Sequence, residues 1–231
     1  MMRIRHIIRL PDIIFQGDML LETLNVIAII GGTGRAGRYL AQKALESGYS
    51  VRMLARNPDK ATIKDDRLQV IAGDARNEQD IRSLLEGCHA VINTFGQPVK
   101  DTPLYSSVTH TVLTVMQEYG ITRYIGVAGG SLNVQGDKKS FLNRIASTLF
   151  SILLSKMIAD RKKELDLLMK SDIQWTLVRL PFVVEGLETS HIKENLRDIP
   201  GRNITNSDIA KFLVGQVNEM KYVKRTPCIS N

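Results

Sequence analysis

The chain has 231 residues, 43% of them hydrophobic and 24% charged, which is enough for one sizeable core and one α/β domain. Its net charge is +7, but Lys and Arg are scattered, apart from Lys138-Lys139 and Arg161-Lys162-Lys163, and no aromatic residues interleave with them, so we expect no nucleic-acid partner. Cys88 and Cys228 lack the spacing of metal ligands, so we expect no metal site, two free thiols and a cytoplasmic location.

Residues 1–24 are predicted to form an N-terminal extension of uncertain role, ahead of a domain that covers residues 25–231. Arg3, Arg5 and Arg9 lie among short, interrupted apolar pieces, so we predict neither a signal peptide nor a membrane span here. Two interpretations stay open: Met19 is the true start, or the extension packs on the sheet edge or on a partner.

The run Val26–Ile30 is apolar and rich in β-branched residues, and it ends abruptly in glycines spaced Gly-x-x-Gly-x-x-Gly. The residues that follow place apolar side chains on one helical face, so the pattern predicts a strand, a tight turn and a helix. Gly31 allows the sharp turn, Gly34 lets the backbone approach a pyrophosphate, and Gly37 lets the helix pack closely on the strand. The helix start, with its free N–H groups, is typical of a dinucleotide-phosphate site.

The second predicted strand, residues 49–55, ends at Arg56 with no carboxylate in the position that holds the ribose hydroxyl in NAD-binding proteins. Arg56, together with Arg35 from the glycine turn, is suited to clamp a 2′-phosphate with forked hydrogen bonds. The sequence therefore favours NADP (NADPH) over NAD as the cofactor. The other interpretation of Arg56 is an exposed loop arginine.

The third and fourth predicted strands, residues 68–72 and 90–93, each run into a polar or glycine-containing turn. Asp74 follows the third strand, where it is placed to accept a hydrogen bond from the adenine amino group or to stabilise the turn, and both roles can coexist. Thr94, Phe95 and Gly96 follow the fourth strand, and the glycine permits a close backbone approach to the cofactor ribose.

A helix is predicted over residues 104–119, and a fifth strand over 124–128 opens into Gly129-Gly130-Ser131. Residues 141–171 are predicted to be helical, with a possible break near Ser155. The stretch 149–154 is apolar nearly all round but too short to span a bilayer, so we expect a helix in the core or in a dimer interface and no membrane partner. We expect a monomer or a homodimer.

The sixth predicted strand, residues 174–179, is closed by Leu180-Pro181, and a loop-rich region over 185–201 follows. Ser207-Asp208 is predicted to cap a helix that runs to about Glu219, and residues 226–230 form a last strand. Strands alternating with helices predict a Rossmann-like, doubly wound parallel sheet in a single domain. The ligand is then expected at the carboxyl edge of the sheet, between the first and fourth strands.

Four segments together resemble the atypical short-chain dehydrogenase/reductases, in particular their small NAD(P)H-binding members related to NmrA and to flavin/biliverdin reductase. The segments are Gly31–Gly37, Ala55–Pro58, Gly73–Ala75 and Trp175–Pro181. The resemblance implies the following contacts: Thr33, Arg35 and Ala36 with the pyrophosphate, Arg56 with the 2′-phosphate, Asp74 and Ala75 with the adenine, Phe95-Gly96 with the adjoining ribose, and Gly129, Gly130 and Pro181 with the nicotinamide.

Catalysis is where the sequence departs from ordinary members of this superfamily, which use a Tyr-x-x-x-Lys pair on the helix after the fifth strand. The match that this chain contains, Tyr39 to Lys43, lies in the first helix, and we interpret it as a coincidence. Ser131 is the candidate catalytic residue, because it occupies the position of the family's active-site serine; the other interpretation is a serine that caps a turn. The resemblance thus favours an NADPH-dependent reductase of a small carbonyl, quinone or flavin-like substrate; the alternative is a non-catalytic NADP(H)-sensing regulatory protein of the NmrA-like type.

Overall fold

A computed structural model describes residues 25–34, 36–189 and 191–231. The expectations for residues 1–24 and for Arg35 lie outside the described residues. In chain order the strands β1 to β10 are Val26–Ile30, Ser50–Ala55, Leu68–Ala72, Ala90–Asn93, Arg123–Gly129, Gln174–Leu180, Phe182–Val184, Lys193–Asn195, Asn203–Thr205 and Cys228–Ser230. The helices α1 to α6 are Gly37–Glu46, Glu78–Leu85, Tyr105–Glu118, Phe141–Leu153, Ser155–Lys170 and Asn206–Gly215.

Eight strands form one sheet in the order β3-β2-β1-β4-β5-β6-β10-β8. All neighbours are parallel except the edge strand β8, which runs antiparallel to β10. This confirms the Rossmann-like doubly wound fold, with the change of winding direction between β1 and β4. The edge strand β8 lies within the region that was expected to be loop-rich. The sequence did not predict it, because Lys193–Asn195 is short, charged and exposed and so carries no strand pattern.

The core consists of two apolar layers, one on each face of the sheet. Strand β1 serves both, since Ile27 and Ile29 belong to one layer and Ala28 and Ile30 to the other, and all four are fully buried. Helices α1 and α6 cover the first face, while α2, α3 and α5 cover the second. A central strand buried on both faces reads as a continuous apolar run, which is why β1 was recognisable from sequence.

The predicted long helix over residues 141–171 is two helices, α4 and α5, which meet at Leu154 and bend by 105°. Of the two places expected for residues 149–154, the core is wrong, and a dimer interface stays a prediction. Leu149, Ile152 and Leu153 are 55%, 71% and 67% exposed, because α4 turns its apolar side chains away from the sheet. Sequence pattern shows that a helix is amphipathic but not which side faces the protein.

The start and end of α6 also differ from the prediction. Thr205, not Ser207, is the cap: its Oγ1 accepts a hydrogen bond from the backbone N–H of Asp208 at 3.1 Å. Asp208 is fully buried, and its carboxylate accepts hydrogen bonds from Thr189 and Asn231 instead. The helix ends at Gly215 rather than near Glu219.

Within the described ranges, no single helix is both long enough and apolar enough to cross a membrane. Helices α4 and α5 meet the length and composition criteria only as a pair, and the bend of 105° separates them. The same ranges contain no group of three or more His, Cys, Asp or Glu side chains arranged to hold a metal ion.

Candidate cofactor-binding site

A cleft of about 460 Å³ lies at the carboxyl edge of the sheet, and its volume is within the usual range for small-molecule sites. It lies where β1, β2, β3 and β4 end and therefore includes the position at which the winding direction changes. Every described residue predicted to contact the phosphates, the adenine or the adjoining ribose lines it. These residues are Gly31, Thr33, Gly34, Ala36, Gly37, Arg56, Asp74, Ala75, Thr94, Phe95 and Gly96.

Two glycines of the turn after β1 are required by close backbone approaches. Gly31 has a φ of +81°, and a Cβ atom there would lie 2.6 Å from the carbonyl oxygen of Thr94. A Cβ on Gly37 would lie 2.1 Å from the carbonyl oxygen of Gly31. The first contact lets β1 and β4 turn outward side by side, and the second lets α1 start directly against the turn.

The N-terminus of α1 provides backbone donors to the cleft. Its cap residue is Ala36, whose methyl side chain cannot accept a hydrogen bond, so the cap side chain does not compete with a ligand for the first N–H groups of the helix. Among these groups, the N–H of Arg38 donates to the carbonyl of Gly34 at 3.3 Å. These groups lie at the positive end of the helix dipole, which favours an anion such as a pyrophosphate.

The far end of the cleft is basic. Arg56 and Lys60 both line it, and Lys60 ends a single 3-10 turn, Pro58–Lys60, that follows β2. Lys60 was not identified from the sequence, because it lies beyond the strand end, in the turn that places it in the lining of the cleft. Arg56 and Lys60 supply two positive charges where an NAD-binding chain of this fold places an acidic residue.

Asp74 takes the turn role that was predicted for it. Its carboxylate accepts hydrogen bonds at 3.0 Å from both the backbone N–H and the Nε of Arg76. The Arg76 guanidinium, through these bonds, holds the pKa of the Asp74 carboxyl below its usual range. The carboxylate therefore stays ionised and fixed at the wall of the cleft, and contact with an adenine stays a prediction.

The loop after β4 is anchored by a buried amide. Asn93 is 5% exposed, its Oδ1 accepts the backbone N–H of Phe95 at 2.9 Å, and its Nδ2 donates to the hydroxyl of Tyr124 at 3.0 Å. The hydroxyl of Thr109 lies 3.3 Å from that of Tyr124 and donates to Glu164 at 2.9 Å. A chain of polar groups thus connects the wall of the cleft with α3 and α5.

The four residues predicted for the reactive end, Gly129, Gly130, Ser131 and Pro181, do not line this cleft. They lie one and two strands further along the same edge, where β5 and β6 end. The backbone N–H of Gly130 donates to the carbonyl of Leu180 at 2.8 Å, and Lys139 Nζ donates to the carbonyl of Gly130 at 2.9 Å. Ser131 is partly buried on this fixed loop, and its catalytic role stays a prediction.

The two side chains of the Tyr-x-x-x-Lys match in α1 form hydrogen bonds with residues that do not line the cleft. The hydroxyl of Tyr39 donates to Glu185 at 3.1 Å, and Lys43 Nζ donates to Glu188 at 2.9 Å. The hydrogen bond with Glu188 is the main reason that the pKa of Lys43 is raised. A catalytic lysine of this type lies beside its tyrosine at the substrate, so these contacts support the interpretation of the motif as a coincidence.

A sequence model of an NAD(P)H-binding family matches residues 31–220, which is most of the chain and includes every residue that lines the cleft except Ile30. This chain belongs to that NAD(P)H-binding family. The match agrees with the resemblance inferred from the glycine turn and the strand ends.

Curated proteins that are related to this NAD(P)H-binding chain are longer than the chain itself. Photosystem II assembly factor Ycf39 of Trieres chinensis is 28% identical over 215 residues, covering 87% of this chain and 62% of that protein. Protein BRI1-5 ENHANCED 1 of Arabidopsis thaliana is 27% identical over 115 residues, covering 45% of this chain and 31% of that protein. This chain therefore spans less than two thirds of the length of these relatives.

Solved structures with the same fold cover this chain more evenly. A wide-type short-chain dehydrogenase/reductase from Veillonella parvula in complex with NADP has a TM-score of 0.74 at 15% identity, covering 90% of this chain and 94% of that one. ChuY, an anaerobillin reductase from Escherichia coli O157:H7, has a TM-score of 0.72 at 17% identity, covering 89% and 96%. At these identities the likeness shows the fold.

Proposed function

We propose that this chain is an NADPH-dependent reductase of a small carbonyl, quinone or flavin-like substrate. The observation that carries the cofactor preference is the pair of cations Arg56 and Lys60 at the end of β2. A 2′-phosphate bound there accepts charge-assisted hydrogen bonds from both side chains. The ribose of NAD carries no 2′-phosphate, so it forms no comparable charge-assisted hydrogen bonds with Arg56 and Lys60.

The bound cofactor would supply a hydride, and the chain's own residues position the reactants. The N–H groups at the start of α1 hold the pyrophosphate, and the loop that Asn93 anchors holds the adjoining ribose. Gly129 and Pro181, at the ends of β5 and β6 on the same edge, would contact the nicotinamide. The ChuY neighbour is named as a reductase, which supports a reductive role for this chain on the same fold.

Ser131 is the residue that we propose to contact the substrate. Its hydroxyl would donate a hydrogen bond to the substrate oxygen that gains charge as the hydride arrives. The loop that carries it is fixed by the Gly130–Leu180 and Lys139–Gly130 hydrogen bonds, so the donor is pre-positioned. A fixed donor of this type typically contributes about 10²- to 10³-fold to the rate.

The test is NADPH oxidation with a panel of quinones, flavins, tetrapyrroles and aldehydes. We expect oxidation above the protein-free background with at least one class, and a loss of about 10²-fold in kcat for Ser131→Ala. The control is Ser107→Ala, which removes a hydroxyl from the exposed face of α3 and should leave kcat unchanged. No turnover across the whole panel, in a protein that binds NADPH, would exclude the reductase.

A second candidate function is a non-catalytic sensor of the NADP/NADPH ratio that passes this information to a partner. The observation that favours it is the sequence of α4 and α5, the helices that follow β5, in which no tyrosine precedes Lys156 or Lys163. This hypothesis predicts tight nucleotide binding without turnover. Turnover at about 1 per second or faster, which is ordinary for enzymes, would rule it out as the main role.

A further inference from the structure

Helix α4 is amphipathic but its two sides are reversed relative to an ordinary surface helix. Its polar side faces the protein: Ser147 is 5% exposed, and Asn143 Nδ2 donates to Asp198 at 2.8 Å and to the carbonyl of Ile199 at 3.0 Å. Asp198 also accepts the backbone N–H of Ser140 at 2.8 Å, just before the helix begins. Polar bonds therefore fix α4 with its apolar side outward.

Helix α4 lies next to β7: the ring of Phe150, in α4, is 6.2 Å from the ring of Phe182, in β7. The exposed apolar side chains of α4 are therefore close to those of β7 and of the residues that follow it. Ten large apolar side chains make up what we term the α4–β7 surface, and eight of them are more than half exposed. They are Phe141, Leu142, Ile145, Leu149, Ile152, Leu153, Phe182, Val183, Val184 and Leu187. This concentration of exposed apolar side chains exceeds the scattered apolar residues of an ordinary surface and marks a place where something docks.

The exposed charges on α4, on α5 and just beside them indicate what kind of partner docks on the α4–β7 surface. In residues 137–164 the exposed charged side chains are all positive: Lys138, Arg144, Lys156, Lys162 and Lys163. The acids of the same stretch are turned inward and paired. Asp137 contacts Arg179, Asp160 accepts hydrogen bonds from Ser106, and Glu164 contacts Arg161.

Exposed acids lie further along, at Asp166 on α5 and at Glu185 and Glu188 after β7. Glu185 is paired with Arg38, and Glu188 with Lys43 and Lys211.

Three of the exposed cations, Lys138, Arg144 and Lys156, lie on α4 or within three residues of its ends. An apolar helix face bordered by cations suits the surface of an anionic bilayer, where the apolar side chains enter the acyl boundary and the cations meet lipid phosphates. A second copy of this chain would instead bring two sets of cations together, which disfavours self-association through the same face.

We propose that the α4–β7 surface docks this protein on an anionic lipid membrane. The chain lies on the bilayer rather than crossing it, so the short apolar run at residues 149–154 is long enough. A lipid partner was not expected from the sequence, because the pattern of α4 does not reveal that its apolar side faces outward.

The test is flotation of the full chain with vesicles of phosphatidylcholine alone and of phosphatidylcholine mixed equally with phosphatidylglycerol. We expect binding to the anionic vesicles, weaker binding to the neutral ones, and release by salt. The charge variant K138Q/R144Q/K156Q should lower the partition coefficient about fivefold for each cation removed. Its control, K64Q/K224Q/R225Q, removes three exposed cations that lie outside α4, α5 and their flanks, and it should bind like the parent protein.

The apolar contribution is tested with the variant L142Q/I152Q. Both side chains are about 70% exposed, so their replacement should not alter folding, which is checked by thermal unfolding. Because these two apolar side chains would be buried in the bilayer, their loss should lower vesicle binding at least about tenfold. The control M169Q/M220Q removes two exposed methionines outside the surface, at 59% and 55% exposure, and should bind normally.

Two results would overturn the proposal. The first is an absence of vesicle binding by the full chain at low salt. The second is a dimer in solution that L142Q/I152Q converts to a monomer, since the surface would then serve a second copy. NADPH oxidation and nucleotide affinity are measured on the same variants without vesicles, so failure of membrane docking is distinguishable from failure of the reductase function.

Discussion

The amide of Asn93 donates a hydrogen bond to the hydroxyl of Tyr124 at 3.0 Å, and both side chains are buried. Asn93 also holds the backbone of Phe95 at the wall of the cofactor cleft. Tyr124 is fully buried, and this burial, with the charge of Glu164, raises the pKa of its hydroxyl, so the group stays neutral and can both accept and donate. The position of the cleft wall therefore depends on a hydroxyl in the core.

Tyr124→Phe should destabilise the protein and weaken nucleotide binding together. Removing the hydroxyl leaves the buried amide of Asn93 without its acceptor, which costs about 1–3 kcal/mol in the free energy of unfolding. Urea denaturation measures that cost, and calorimetry with NADPH measures the affinity. The matched control is Tyr119→Phe, which removes the hydroxyl of a tyrosine that is 43% exposed at the end of α3. Equal effects of the two changes would show that the buried hydrogen bond has no special role.

The pH dependence of stability near pH 6 should depend on His89. Burial lowers the pKa of this side chain below its usual value, although the hydrogen bond with the carbonyl of Val26 opposes the shift. Below about pH 6.5 the unfolded chain then binds more protons than the folded chain, so the free energy of unfolding falls as the pH falls through that range. The carboxyl groups whose pKa values are lowered change the free energy of unfolding at more acidic pH.

His89→Asn keeps a donor for Val26 and removes the titration. We expect its free energy of unfolding, measured by urea denaturation, to change less than that of the parent protein between about pH 7.5 and about pH 5.5. His191→Asn, which removes a histidine from an exposed position, is the control and should behave like the parent protein. An unchanged slope in His89→Asn would assign the pH dependence to other groups.

The sequence predicted the central strands closely, because a strand buried on both faces reads as an uninterrupted apolar run. Ala90–Asn93, which is buried throughout, has the predicted bounds. The edge strand Leu68–Ala72 also has the predicted bounds, although its residues are partly buried or exposed. The peripheral strand Lys193–Asn195 was missed, since its pairing with β10 depends on a distant segment rather than on its own residues. The break in the long helix was expected near Ser155 and lies at Leu154.

Strand ends were the basis for predicting the site, because parallel strands bring their carboxyl ends to one edge. This rule found the cleft residues from Gly31 to Gly96 but gave no signal for Lys60 or for the polar chain behind Asn93. The hydrogen bond between Thr109 and Glu164 joins residues 55 positions apart, and nothing local to either one predicts it. Side-chain pairing of this kind becomes visible only when α3 and α5 pack together.

Gly37→Ala should abolish nucleotide binding and destabilise the fold. The added Cβ would lie 2.1 Å from the carbonyl oxygen of Gly31 and 2.5 Å from the Cα of Gly32, so the turn or the helix start must shift. Overpacking against backbone costs about 1–3 kcal/mol or more in the free energy of unfolding. Gly215→Ala is the control, because no atom lies within 4 Å of the added Cβ at the end of α6, and it should stabilise by about 0.5–1 kcal/mol. A Gly37→Ala protein with normal affinity for NADPH would show that the pyrophosphate does not rest on this turn.

Arg56→Glu should separate the two nicotinamide cofactors. Losing a charge-assisted hydrogen bond costs about 1.5–3 kcal/mol, so NADPH affinity should fall about 10- to 150-fold while NADH affinity hardly changes. Calorimetric titration with each nucleotide gives both values.

Lys64→Glu makes the same change of charge at an exposed lysine that does not line the cleft, and it should leave both affinities close to those of the parent protein. Lys60→Glu should resemble Arg56→Glu, because the two cations share one end of the cleft. Equal losses for NADPH and NADH in the Arg56 variant would instead mean that the guanidinium contacts a part common to both nucleotides, and the preference for NADPH would then have to come from another residue.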